Sequence, residues 1–259
     1  MIHLILDTNI WIYFAEGQHP FVLNGIINKV NNKEIILLVN DEIIKEWDRN
    51  KENSLDRIKK ELQKQIDYAK ELKSALNDKD GKEYGKLIGK ISSSTPEYKK
   101  AITERYNTVD DLIKNKSVNV PITKEHKLKV IDLALKQKAP FHRNKNSVAD
   151  ALILLSSIDY IKENGINNVN YNRIDVSDSI FISYNSDDFS KDIKGDSKNE
   201  IHPDLKPLLD SVGMTYERNF GRILNLSTEL MTIIDDYMDY VESRIIEQME
   251  WENEIKRGK

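Results

Sequence analysis

Ile2-His3-Leu4-Ile5-Leu6-Asp7-Thr8-Asn9 is the stretch on which the reading of the fold turns. A short apolar run closed by three polar residues reads as a buried strand ending in a polar turn. Glu34-Ile35-Ile36-Leu37-Leu38-Val39 repeats the pattern, and Asn40 after it can cap a short helix over Asp41 to Asp48. Between the two runs, Ile10 to Phe14 and Phe21 to Val30 have helical spacing, broken at Gly17 and Pro20. Strand, helix, strand, helix is the start of an α/β fold.

Further along, Leu55, Ile58, Leu62, Ile66, Ala69, Leu72 and Leu76 recur at intervals of three and four, which predicts a long amphipathic helix. Gly81, Gly85, Gly89 and Ser92-Ser93-Ser94-Thr95-Pro96 predict a loop, followed by a helix from Tyr98 to Ile113 and another from Thr123 to Lys138. No strand is evident there, so residues 51–139 read as a helical insertion. Ser147 to Asn164 predicts a helix, Ser179 to Tyr184 a strand, and Thr215-Tyr216 a strand or loop. Ser227 to Ile255 predicts a long helix. The expected organisation is a discontinuous α/β domain over 1–50 and 140–225, a basic helical insertion over 51–139, and a C-terminal helix over 226–259.

Composition narrows the chemistry. The 259 residues include no Cys and only 5 His, so thiolate nucleophiles, thiolate metal sites and disulfides are excluded. No apolar run approaches the ~18 residues of a membrane span. The first segment has no basic leader, and cytoplasm is the expected compartment. The formal charge of -4 conceals an asymmetry: Lys51 to Lys145 holds 23 Lys and Arg against 14 Asp and Glu, a net of +9, and the remainder carries -13. A basic segment of that kind suits a polyanion, or forms solvated helix faces.

Four acidic groups fall at strand ends or at the start of the following helix. They are Asp7, Glu46, Asp150, and the cluster of Asn185, Asp187 and Asp188. Each alone has a bland account: a turn, a solvated acid, a capping box from Ser147 to Asp150, or turn chemistry. Together, in an alternating α/β pattern, they converge on the edge of a parallel sheet where ligands bind. Gathered acids repel unless a cation compensates them, and hard oxygen ligands suit Mg²⁺ or Mn²⁺.

The chain resembles the PIN-domain nucleases over about Met1 to Asp48 and Asn144 to Tyr216. The matching stretches are Leu4-Ile5-Leu6-Asp7-Thr8-Asn9, Val39 through Glu46-Trp47, Ser147 through Ile153, and Phe181 through Phe189. The resemblance implies a three-layer α/β/α fold with a central parallel sheet, Mg²⁺ or Mn²⁺ dependence, and endonucleolytic cleavage, usually of RNA, in a toxin or defence setting. It further implies that Asp7, Glu46 and Asp150 bind metal, with Asp187 as the fourth acidic site residue supporting the attacking water. Asn9 and Ser183 would orient carboxylates or phosphate. Asn185 stands where many members have Asp, so either Asp187 substitutes for it or three carboxylates act with a water-bridged Asn.

His142, Arg143 and Lys145 precede the third motif, within reach of substrate phosphates if Asp150 belongs to the site. RNA is the expected partner, with single-stranded or structured DNA as the other substrate class. No membrane is expected, and a regulatory protein or a second copy is a further candidate partner. Two rival readings share these residues. One is a non-catalytic PIN-like module that binds RNA or protein. The other is a haloacid-dehalogenase-type phosphatase, which wants an acid two residues after the first-strand Asp, where this chain has Asn9.

Overall fold

The computed structural model describes residues 1–143, 147–164 and 179–224. Lys145 and the expected C-terminal helix over 226–259 lie outside the described residues. Five strands form one parallel sheet: β1 (Ile2–Leu6), β2 (Ile35–Asn40), β3 (Ser117–Val120), β4 (Ser179–Ile182) and β5 (Met214–Glu217), in the spatial order β3-β2-β1-β4-β5. β1 lies centrally, with Leu4 opposite Leu37 of β2 and Ile180 of β4. Nearly every residue of β1, β2 and β4 is buried, as expected for a parallel sheet covered on both faces. The fold is three-layer α/β/α.

Helices α1 (Thr8–Glu16) and α2 (Pro20–Asn31) connect β1 to β2. α1 ends at Gly17, whose φ of 87° is the left-handed conformation that glycine adopts without penalty, and its N–H returns to Phe14 O at 3.1 Å. A Cβ there would fall on the Arg105 guanidinium, which caps the same helix end by donating to the carbonyls of Ala15 and Glu16. Trp11 and Phe14 are core residues, at 0% and 1% exposure.

Two long helices, α3 (Asp41–Leu72) and α4 (Asp78–Asn115), fill most of the expected insertion and pack on each other and on α1. α3 runs unbroken through residue 50, where a boundary between domain and insertion was expected. The expected loop around Gly81 to Pro96 is instead part of α4, which contains Pro96. Local propensity is overridden by pairing with α3, since the Tyr84 hydroxyl donates to Ala69 O and Lys99 Nζ donates to Gln63. The hydroxyls of Ser93, Ser94 and Thr95 bond carbonyls three and four residues back, so these residues ride on the helix rather than breaking it.

The expectation of a purely helical stretch over 51–139 is also corrected, because Ser117–Val120 forms β3. With one apolar-facing residue fully buried, Val120, this edge strand has too little periodicity to be recognised from sequence. It follows α4 through Lys116, and pairs with the last four residues of β2. α5 (Lys124–Leu135) and α6 (Val148–Asn164) then lead to β4. α6 is buried without a break from Ala151 to Ile158, because it sits between the sheet, α3 and α5. Short helices α7 (Ser186–Phe189), α8 (Lys206–Asp210) and α9 (Gly221–Leu224) complete the described fold.

Asn40 joins two layers. Its Oδ1 accepts from the N–H groups of Glu42 and Ile43, capping α3, while its Nδ2 donates to Ser156 Oγ on α6 at 3.0 Å. Asn40→Ala removes the cap and leaves the buried Ser156 hydroxyl without this donor, at an expected cost of about 1–3 kcal/mol. Urea denaturation checks it, and a loss below about 0.5 kcal/mol would show that the bonds contribute nothing net.

Candidate metal centre

The strand order reverses direction beside β1: the chain passes from β1 to β2 on one side, and later returns to place β4 on the other. The crevice at the C-terminal ends of these strands is where open α/β sheets bind ligands. Asp7 stands there, one residue after β1 and at the N-cap position of α1, only 3% exposed. Glu46 lies in the second turn of α3, after β2. Asp150 lies in the first turn of α6, and Asp188 lies in α7, just after β4.

These four carboxylates sense one another. Burial raises the pKa of Asp7 to about 6; hydrogen bonds from Ser183 and the Thr8 N–H oppose that rise, while Glu46 and Asp188 add to it. Burial raises Asp150 further, to about 8, reinforced by the charges of Asp7, Asp188 and Glu46. Like charges brought together in a desolvated site shift titration in this way. Glu46 is more open than Asp7, at 25% exposure, and makes a 3.6 Å ion pair with Arg49.

A hydrogen-bond chain fixes the geometry on the β4 side. Ser183 Oγ, fully buried, donates to Asp7 Oδ2 at 2.7 Å and accepts from the Asn185 N–H at 3.0 Å. The Asn185 side chain in turn donates to Asp188 Oδ2. Asp188 is 4% exposed, and its Oδ1 is buried with no hydrogen-bond partner. Asp187 takes a different direction: it is one-third exposed and accepts from Arg143 Nη1 at 3.1 Å. The structure therefore brings Asp7, Glu46, Asp150 and Asp188 into electrostatic contact and sets Asp187 against Arg143. Asn9 is exposed on α1 and takes no part in these hydrogen bonds.

His142 and Arg143 lie half-buried beside this group. Arg143 Nε donates to His142 Nε2 at 3.1 Å, and the His142 ring packs on His202 with centroids 4.4 Å apart. Burial, then His202 and Arg143, lower the His142 pKa, while Asp188 and Asp204 pull the other way. His202 and Asp204, linked through the Asp204 N–H to His202 Nδ1, belong to no motif, so only the fold reveals them. Asp188 carried a sequence signal, but one it shared with its neighbour Asp187.

The donor set fits a hard divalent cation. Besides Asp188 Oδ1, the hydroxyls of Thr8 and Ser147, sequence neighbours of Asp7 and Asp150, are buried without partners. Orphaned polar atoms of this kind mark a place for water or an ion. The capping box that would have been the bland account of Asp150 is not formed, since the Ser147 hydroxyl has no partner. Among the described residues, no three His, Asp or Glu side chains are gathered closely enough to hold an ion directly. Mg²⁺ keeps several of its waters and takes only one or two carboxylates directly. Also among the described residues, no helix is long and apolar enough to cross a membrane.

A family model described as a PIN domain matches residues 4–189. No curated protein and no solved structure matches the chain.

Proposed function

The chain belongs to the PIN-domain family, a nuclease-type fold, and on that footing we propose that it is a divalent-metal-dependent endonuclease acting on RNA, of the toxin or defence type. One observation carries the reading: Asp7, Glu46, Asp150 and Asp188 share a desolvated crevice at the reversal of strand order and repel one another there. Asp7, Asp150 and Asp188 would hold Mg²⁺ or Mn²⁺ partly through bound waters, with Glu46 reaching in from α3. When bound, such an ion makes water a better nucleophile at neutral pH and neutralises charge developing on the phosphodiester.

The protein's own part is positioning. Ser183 holds Asp7 by one carboxylate oxygen, and Asn185 holds Asp188 by one oxygen, leaving the other unpartnered. Asp187 anchors Arg143, whose guanidinium together with His142 would meet phosphate groups at the rim. The acidic centre repels the nucleic-acid backbone, so attraction is assigned to the lysines of the α3–α4 hairpin.

The test is incubation of the purified chain with total RNA, with DNA as a parallel substrate. The expected result is RNA fragmentation with Mn²⁺ or Mg²⁺, none with EDTA, and weaker RNA affinity with a shallower salt dependence in Lys82→Glu with Lys86→Glu. Cleavage of DNA alone would reassign the substrate. RNA binding without cleavage under any divalent ion would leave a non-catalytic binding module.

A further inference from the structure

The α3–α4 hairpin has two faces of opposite character. Its helices meet along Ile58, Ile66 and Ala69 on α3 and along Gly81, Tyr84, Ile88 and Lys99 on α4, where Ile66 and Ile88 are buried and the Tyr84 hydroxyl reaches Ala69 O at 2.9 Å. Each step along a helix turns about 100°. In an antiparallel pair these turns run in opposite senses, so the residue just before each inward position points to one common side of the hairpin, and the residue just after it points to the other.

The residues just after the inward positions include Lys59, Lys70, Lys82 and Lys100, while Lys64, Lys86 and Lys90 point away from the partner helix. The residues just before them include no lysine; Arg57, paired with Glu16, and the acids Asp80 and Glu83 stand there. This side presents Tyr68, Leu72, Leu87, Ile91 and Tyr98, which are 63%, 43%, 56%, 43% and 64% exposed. Glu61, Gln65 and Ser94 lie among them. Scaled from the ~150–250 Å² of a large side chain, these five residues offer roughly 400–670 Å² per copy. Two such faces together offer roughly 800–1,300 Å², the size range of the about 1,000 Å² that a specific interface requires. Tyr is moreover among the residues enriched in interfaces.

We propose that this face is a homodimer interface, on which the hairpins of two copies pair about a twofold axis into a four-helix bundle. A polyanion would take the lysine side. The apolar side matches a surface of its own kind, and a second copy supplies that surface with its lysines turned outward. The assignment does not depend on the nuclease reading, and its test does not use activity.

Sedimentation velocity on the full chain, over a concentration series, decides it. The wild type is expected to sediment at twice the 30.1 kDa monomer mass. Leu87→Glu with Ile91→Glu is expected to sediment as monomer, with unchanged helical circular dichroism. Tyr68→Ser with Tyr98→Ser, which adds no charge, is expected to weaken the dimer at least about tenfold, a change of about 1.4 kcal/mol. Lys82→Glu with Lys100→Glu, on the opposite side, is expected to remain dimeric. A wild type that stays monomeric throughout, or a dimer undisturbed by both apolar-face variants, overturns the proposal.

Discussion

Asp150→Asn is expected to abolish cleavage, lowering kcat by about 10³-fold or more. That factor corresponds to the several kcal/mol of transition-state stabilisation that metal-assisted hydrolysis supplies. The same substitution is expected to raise Tm when divalent ions are absent. Asp150 and Asp7 are held in the folded chain with pKa values raised from 3.8 to about 8 and about 6. A folded group with a raised pKa keeps a proton that the unfolded chain has released. The stability it contributes is therefore whole below about pH 4 and is lost as pH rises through about 6 for Asp7 and about 8 for Asp150.

Metal-free wild type should accordingly lose stability between pH 4 and 8. Asp150→Asn should flatten the upper part of that decline and gain roughly 2–4 °C for each kcal/mol recovered. Mg²⁺ or Mn²⁺ should stabilise the wild type more than the variant. Thermal denaturation across pH, with and without the ion, reads all three effects. Full activity in Asp150→Asn, or a wild-type Tm that rises from pH 5 to 8 without metal, would show that the carboxylates are not the repelling centre described.

The second large effect separates two neighbouring residues. Asp188→Asn is expected to reduce kcat by at least about a hundredfold, because it removes a charge in electrostatic contact with both Asp7 and Asp150. Asp187→Asn is expected to act mainly on KM, by several-fold, because its partner is Arg143 at the rim. Steady-state kinetics of the two variants at matched metal concentration decide it. A greater loss of kcat in Asp187→Asn would return the fourth acidic position to Asp187, the residue favoured by resemblance alone.

Much of the framework is legible without coordinates. β1, β2 and β4 are apolar runs bounded by polar residues, because a parallel sheet buries both faces and leaves period-two alternation no role. The placement of Asp7, Glu46 and Asp150 after strands or at helix starts could be read for the same reason. β3 could not, since a four-residue edge strand with one fully buried side chain has no recognisable pattern. The loop expected across Gly81 to Pro96 failed on a different ground: pairing with α3 outweighs the poor helix propensity of Gly and Pro.

What the sequence by itself determined is the alternation of strands and helices and the spacing that delivers four acidic segments to one sheet edge. Only the tertiary structure decided which acid within the last segment faces the others. Asp187 and Asp188 are adjacent, carry the same side chain and are set in the same short helix, so one residue's rotation, about 100°, separates rim from centre. That rotation is selected by contacts from distant parts of the chain. Arg143 draws Asp187 outward, and Asn185, fixed through Ser183 to Asp7 at the end of β1, holds Asp188 within the crevice.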